Sequence, residues 1–238
     1  MKGPARRAPQ PRNPVAKRLV IGLVGDVCAG KSAAAAAFRK RGAVVLEADQ
    51  LVHALYERAD VKREVRRLMG PSVFDARGKV DRRKLGALVF SDGAQLKRLT
   101  RRVIYPRTGA VLKARVAEFR AQAQSSRALR AASRATPNAR AGEPPALVLD
   151  APLLFEARRD GWCDKRIFVW APRARRERWA RETRGWSAEE LVRRERRMLD
   201  ARTKRARCEA VIDNSGTRKD LDRQVGALWR RWIEEGHR

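Results

Sequence analysis

The stretch LVIGLVGDVCAGKSAAAAAF, Leu19 to Phe38, decides the fold. Seven apolar or glycine residues make a buried strand. A turn through Gly25 and Gly30 follows, and then a run of alanines that favours helix. Within it, GDVCAGKS (Gly25–Ser32) satisfies G-x-x-x-x-G-K-[ST] in the context that pattern requires, strand then loop then helix. The two glycines let backbone N–H groups converge on phosphate oxygens at the positive end of the helix. Lys31 is placed to meet the β- and γ-phosphates, and Ser32 to offer an oxygen to magnesium. The alternative, an ordinary loop before an ordinary helix, leaves the small residue before the lysine unexplained. The stretch reads as a nucleoside triphosphate site formed by Gly25, Asp26, Val27, Cys28, Ala29, Gly30, Lys31 and Ser32.

Working outward, KSAAAAAFRKRG is a helix that Gly42 can end, and AVVLEAD a second strand closing at Asp49. QLVHALYERADVKREVRRLMG has apolar residues three and four apart and predicts one or two helices. PSVFDARGKV is a turn-rich link, followed by helical DRRKLGALVFSDGAQLKRLTRRVI and, after Pro106, a further helix to about Arg127. The stretch 121–145 reads as an extended, partly helical surface connection. ALVLDAPLLFE and CDKRIFVWA give two more strands, residues 172–207 are helical and arginine-rich, and EAVIDNSG is a last strand and turn. LDRQVGALWRRWIEE closes the chain as an amphipathic helix whose packing face carries Trp229 and Trp232. Strands alternating with helices, each strand apolar throughout, predict an α/β fold with a parallel sheet covered on both faces.

Two acids sharpen the chemistry. In a parallel sheet the carboxyl ends of the strands lie near the phosphate loop, and Asp49 and Asp150 each end an apolar run. Asp49 is a candidate to accept a hydroxyl proton, with a helix N-cap before QLVHAL as the competing role. Asp150 is a candidate to hold magnesium directly or through water, with a strand-end structural role as the alternative. Thirteen arginines lie between Arg173 and Arg207, of which Arg178 and Arg184 are candidates to reach a transferring phosphoryl group.

Lys and Arg number 56 against 27 Asp and Glu, a formal charge of +29 that attracts polyanions. Arginine is nevertheless spread through almost every segment, and no zinc-finger, RNP or basic-zipper pattern accompanies it. The charge reads as background basicity joined to an anionic small substrate, with no specific nucleic-acid partner. No apolar run reaches the ~18 residues a membrane helix needs, so no membrane partner is expected. Residues 1–17 read as a disordered basic tail rather than a signal peptide. Cys28, Cys163 and Cys208 lack metal or disulfide spacing, which fits a reduced, cytoplasmic compartment.

The phosphate loop, EAD at Glu47–Asp49 and DAPLLFE at Asp150–Glu156 together resemble the dephospho-coenzyme A kinase family. VDRRKLGALVF (Val80–Phe90) and KRARCEAVIDNSG (Lys204–Gly216) extend the likeness, which covers roughly residues 18–226. The resemblance implies a three-layer P-loop kinase fold: a parallel five-stranded sheet, a helical substrate domain and a helical lid. On that pattern 18–50, 146–172 and 208–232 form the nucleotide-binding core and 51–127 the coenzyme A domain. Residues 128–145 are a linker and 173–207 the arginine-rich lid. It implies ATP and Mg2+ as cofactors and transfer of the γ-phosphoryl group to the ribose 3′-hydroxyl of dephospho-coenzyme A. Asp49 falls on the base, and Arg178 and Arg184 on lid contacts to phosphate. His53, Asp81, Arg82 and Asp150 fall on the acceptor side, and Asn214 and Gly216 beside the adenine. The oligomeric state stays open, with a monomer favoured.

The sequence departs from that family in places. The loop's middle is DVCA where GIGS is common, which suits ATP only if Asp26 and Cys28 point away from the phosphates. Ala33 replaces a threonine, Tyr105 a histidine and Met198 a glutamine, and Arg178 and Arg184 lie further apart than the usual pair. The rival readings are another small-molecule P-loop kinase with a nucleoside or nucleotide acceptor, a P-loop ATPase stimulated by nucleic acid, and a non-catalytic protein whose interactions depend on nucleotide.

Overall fold

The computed structural model describes residues 18–132, 145–151 and 153–235. The tail 1–17 and most of the 128–145 connection lie outside them. Five strands, β1 (Leu19–Gly25), β2 (Val44–Glu47), β3 (Ala146–Asp150), β4 (Lys165–Trp170) and β5 (Ala210–Asp213), form one sheet in the order β2-β3-β1-β4-β5. Every pairing is parallel, as the apolar runs predict. The register aligns Leu23 with Asp150 and Glu47 with Asp150, so the carboxyl ends of β1, β2 and β3 share one edge.

Alternate residues of each strand face opposite layers. On one face Ile21, Leu23, Val148, Ile167 and Val169 pack against Ala34, Ala37 and Phe38 of α1 (Lys31–Arg39) and against Val225 and Trp229. On the other, Val20, Val24, Leu147, Leu149 and Phe168 meet Leu112, Val116 and Phe119. Fully burying a side chain of this size is worth about 1.5–3 kcal/mol, so the central strands anchor the fold. The outer strands are covered less completely than the apolar runs predict. Val44 in β2 stays exposed, because β2 is an edge with one neighbour.

A separate apolar cluster is built by four helices, α2 (Ala48–Leu55), α3 (Ala59–Met69), α4 (Arg82–Ser91) and α5 (Gly93–Leu99), around Val61, Val65, Leu85 and Val89. The chain does not start a new helix after Pro106. It runs from α5 through a π-turn, Thr100–Ile104, straight into α6 (Tyr105–Ala132). A proline has no N–H to donate and its ring excludes the carbonyl four residues back, and the wider turn accommodates both. Leu112 to Phe119 of α6 then cover the sheet, so residues 51–127 do not pack as one unit. The arginine-rich segment forms α7 (Arg173–Arg184), α8 (Ala188–Glu195) and α9 (Ala201–Ala206), of which α9 packs on β1. The chain then passes through β5 to α10 (Arg218–Trp229), whose Thr217 and Asp220 form a reciprocal capping box.

Candidate active site

The loop between β1 and α1 is shaped by its glycines. A Cβ at Gly25 would fall on the Val169 carbonyl, and one at Gly30, where φ is 94°, on the Asn214 amide. Cys28 is also left-handed, with φ at 58°. Gly30 caps α1 without a side-chain bond, and the first turn of the helix carries no acid. Its leading N–H groups are therefore unsatisfied by side chains and face an anion site.

This loop opens into a cavity of about 850 Å3 that also reaches α2, α4, α5, α7, α8 and the end of β5. Val27, Cys28, Ala29, Gly30, Lys31 and Ser32 line it, as do Asp49, Asp150, Arg184, Asn214 and Gly216. Gly25 and Asp26 do not; Lys31 Nζ donates to their carbonyls, at 2.8 Å to Asp26 and 3.3 Å to Gly25. Burial lowers the pKa of Lys31, opposed chiefly by the nearby charge of Asp150.

Asp150 is buried at the end of β3. Burial raises its pKa to about 6. Lys31 and a hydrogen bond from the Ser32 hydroxyl pull it down, and Asp49 and Glu47 push it further up. Asp49 does not close β2, as the sequence predicts. The strand ends at Glu47, which is also the N-cap of α2, and Asp49 sits in that helix's first turn with its side chain exposed at the cavity. The N-cap role thus falls to another residue. Glu47 itself is held by Arg39 at 2.7 Å and Gln50 at 2.6 Å. Among the described residues that line the cavity, Asp49 and Asp150 are the carboxylates.

Several candidates take other places. Arg178 is exposed on the outer side of α7, 3.9 Å from Glu182, and does not line the cavity. Trp179 and Ala180 mark the inward face of α7, and a residue one position away lies about 100° round the helix. The same face brings in Arg175, four residues before Trp179; its guanidinium donates to Asn214 O at 2.8 Å and Gly216 O at 2.6 Å. Asp81 caps α4, accepting from Arg83 N and Lys84 N. His53 and Arg82 contact each other outside this cavity. Asn214 is buried and donates to Ala29 O at 3.0 Å, which pins the phosphate loop to the end of β5. Tyr105 and Met198 both line the cavity.

Sequence reading missed Arg175, Arg194 and Trp186. Arg194 lies 3.8 Å from the ring centroids of both Phe90 and Trp186, closed between α4 and the arginine-rich segment. The spacing of Arg175 to Trp179 was legible as one helical face; the Phe90 partner of Arg194 was not.

A half-buried lysine on a glycine-bounded loop and two carboxylates lining the same cavity are the groups that phosphoryl transfer calls for. The chain matches the family model described as dephospho-CoA kinase over residues 19–129 and 130–220. It belongs to the dephospho-CoA kinase family. The join between the two matched segments falls inside the 121–145 connection. The chain is 32% identical over 215 residues to the dephospho-CoA kinase of Geobacillus kaustophilus, covering 90% of this chain and 96% of that one. It is 33% identical over 224 residues to the enzyme of that name from Deinococcus radiodurans, covering 94% and 97%. The crystal structure of TT1252 from Thermus thermophilus superposes with a TM-score of 0.66 at 31% identity, over 90% of this chain and 97% of that one. A dephospho-CoA kinase from Campylobacter jejuni shares the fold at a TM-score of 0.55 and 16% identity, over 92% and 100%. The three-layer α/β kinase architecture stands on these likenesses and on the all-parallel five-stranded sheet.

Proposed function

We propose that this chain transfers the γ-phosphoryl group of ATP to the ribose 3′-hydroxyl of dephospho-coenzyme A, giving coenzyme A and ADP. The observation that carries the mechanism is the division of labour between the cavity's two carboxylates. Asp150 is buried, bonded to Ser32 and close to Lys31, so it is committed to the phosphate end. Asp49 is exposed at the opening, on the side where the helical cluster begins, and is free to accept the hydroxyl proton.

The N–H groups of α1 and the loop hold the phosphates, and Lys31 leaves the carbonyls of Gly25 and Asp26 to meet them. Arg184, Arg194 and Arg175 supply positive charge from the lid side, in place of Arg178. Magnesium fits the donor set: the Ser32 hydroxyl and Asp150 carboxylate are hard oxygens already hydrogen-bonded to each other, and substrate phosphates complete such sites. When bound, it neutralises charge on the β- and γ-phosphates. Helices α7 and α8 over the cavity exclude water from the reacting phosphate.

Among the described residues no helix is long and apolar enough to cross a membrane. We infer a cytoplasmic monomer with no nucleic-acid partner. The dispersal of arginine over separate ion pairs supports the last point. Burial holds Cys163 and Cys208 as thiols, their pKa values raised to about 12, and a reducing compartment suits Cys28 on the phosphate loop.

The test is a coupled ADP-release assay with an acceptor panel, checked by mass detection of the phosphorylated product. Dephospho-coenzyme A is expected to exceed adenosine, other nucleosides and nucleoside monophosphates by orders of magnitude in kcat/KM. Preference for a nucleoside or nucleotide would replace the acceptor, and ADP release without any acceptor product would replace the reaction.

A further inference from the structure

Of the cations lining the cavity, Lys97, Arg197 and Arg218 take no part in the chemistry above. Arg218 opens α10 just after β5, whereas Lys97 and Arg197 come together on the helical cluster. Arg197 follows α8, and its Nη2 lies 3.5 Å from Phe90 O near the end of α4. A Cβ at Gly93 would collide with its Nη1, so the guanidinium rests on the first turn of α5 and the glycine makes room for it. Lys97 stands four residues further along the same helix, one turn from Gly93 on the same face. Long helical side chains lean toward the N-terminus of their helix, which from Lys97 is toward Gly93 and Arg197.

Both cations are exposed at the cavity. Among the described residues neither is ion-paired with an acid. Asp92 caps α5, accepting from Ala94 N and Gln95 N. Glu190 is held by Arg193 at 3.2 Å and Arg194 at 2.8 Å, and Glu189 is engaged with Ser187. Other exposed arginines of this chain do have such partners, as Arg67 has Glu64 and Arg223 has Asp220. Adjacent cations without an acid repel each other, and an anion bound between them removes that cost.

The phosphates of ATP belong to the loop that follows β1. Lys97 and Arg197 instead stand on the wall made by α5, in the helical cluster whose first helix carries Asp49. Dephospho-coenzyme A bears a diphosphate on the 5′ carbon of the ribose whose 3′-hydroxyl reacts, and a nucleoside does not. We propose that Lys97 and Arg197 clamp the diphosphate of the acceptor and select for acceptors that carry one. The guanidinium supplies a planar fork of donors and the ammonium a compact charge. Because Arg197 comes from the arginine-rich segment and Lys97 from the helical cluster, the bound diphosphate also joins the two. This proposal rests on the reading of the chain as a dephospho-coenzyme A kinase.

The test measures kcat and KM for dephospho-coenzyme A at saturating ATP, with the ATP dissociation constant and melting temperature of each full-length variant. Lys97→Met and Arg197→Met are each expected to raise KM about 5- to 50-fold, the lower part of the range for charge-assisted bonds because both side chains are exposed. Both keep kcat and ATP affinity within about twofold, the signature of binding lost equally in ground and transition states. Lys97→Arg keeps the charge and stays within about threefold of the unaltered KM. KM of the unaltered chain climbs with salt more steeply than that of either methionine variant, because the contact removed is electrostatic. A mere strut between the arginine-rich segment and the helical cluster predicts otherwise: Arg197→Met lowers melting temperature and kcat together, and Lys97→Met changes nothing. That pattern overturns the proposal, as does an unaltered KM in both methionine variants. Exposed substitutions of this kind leave the fold standing. Absence of transfer to dephospho-coenzyme A by the unaltered chain overturns the proposed function and this clamp together, whereas normal transfer with unaltered KM in the variants overturns the clamp alone.

Discussion

Replacing Asp49 by asparagine separates catalysis from architecture more cleanly than any other change to this site. The side chain is exposed in the first turn of α2, where Glu47 holds the N-cap position. What asparagine removes structurally is one negative charge near a helix N-terminus, worth about 0.3–1 kcal/mol. In a chain of this size that moves the melting temperature by no more than about 4 °C. Loss of a positioned base costs about 10²–10⁴-fold in rate, equivalent to roughly 3–5 kcal/mol of transition-state stabilisation. The catalytic effect therefore exceeds the structural one several-fold. ATP affinity is expected to hold, because the charge of Asp49 raises the pKa of Asp150 and its removal favours the ionised, metal-holding form. The assay measures melting temperature, ATP dissociation constant and phosphorylation of dephospho-coenzyme A on one preparation. Full transfer activity in Asp49→Asn would refute the reasoning, since the other cavity carboxylate is committed to Ser32 and the phosphate end.

Four further outcomes are expected. Lys31→Ala loses at least about 10²-fold in transfer while remaining folded, since burial already disfavours the charged lysine; near-normal kcat/KM in the folded variant would remove Lys31 from the mechanism. Asp150 titrates near pH 6, well above its ordinary 3.8, so Mg2+-dependent ATP affinity should fall as pH drops through 6 and be level above about 7; Asp150→Asn should lack this step, and an identical pH profile would exclude the assignment. The folded pKa lies above that of the unfolded chain, so the ionised carboxylate costs stability, increasingly from pH 4 to 6 and in full above 6. Arg178→Ala should retain activity within about twofold, whereas Arg194→Ala, which also empties the space between Phe90 and Trp186, should raise KM and lower kcat; the reverse order would return the lid role to Arg178. Binding to duplex DNA should weaken steeply between 50 and ~200 mM salt without stimulating transfer, and tight sequence-selective binding at the higher salt would show that the +29 charge has a partner of its own.

The sequence by itself determined the features that depend on neighbours along the chain. Gly25 to Ser32 forms a phosphate loop because strand, glycines, lysine and helix follow one another directly, and the apolar runs ending near Asp49 and at Asp150 make parallel strands that bring both acids to one edge. Even there the last two residues of AVVLEAD went to α2, because the helical period of QLVHAL reaches back to Ala48. The tertiary structure decided what depends on contacts between distant segments. Asn214 grips Ala29 across 185 residues, a contact that ties the phosphate loop to the end of β5 and leaves no trace in local spacing. Arg194 reaches the cavity where Phe90 and Trp186 meet around it, and Arg178 stays outside because α7 turns it outward. Lys204 is an ordinary helical lysine in sequence, and only the packing of α9 on β1 buries it, near Glu156. Local pattern fixes which chemistry a residue carries; which copies of a repeated side chain reach the cavity follows from helix rotation and long-range packing, and these leave no mark on spacing in the chain.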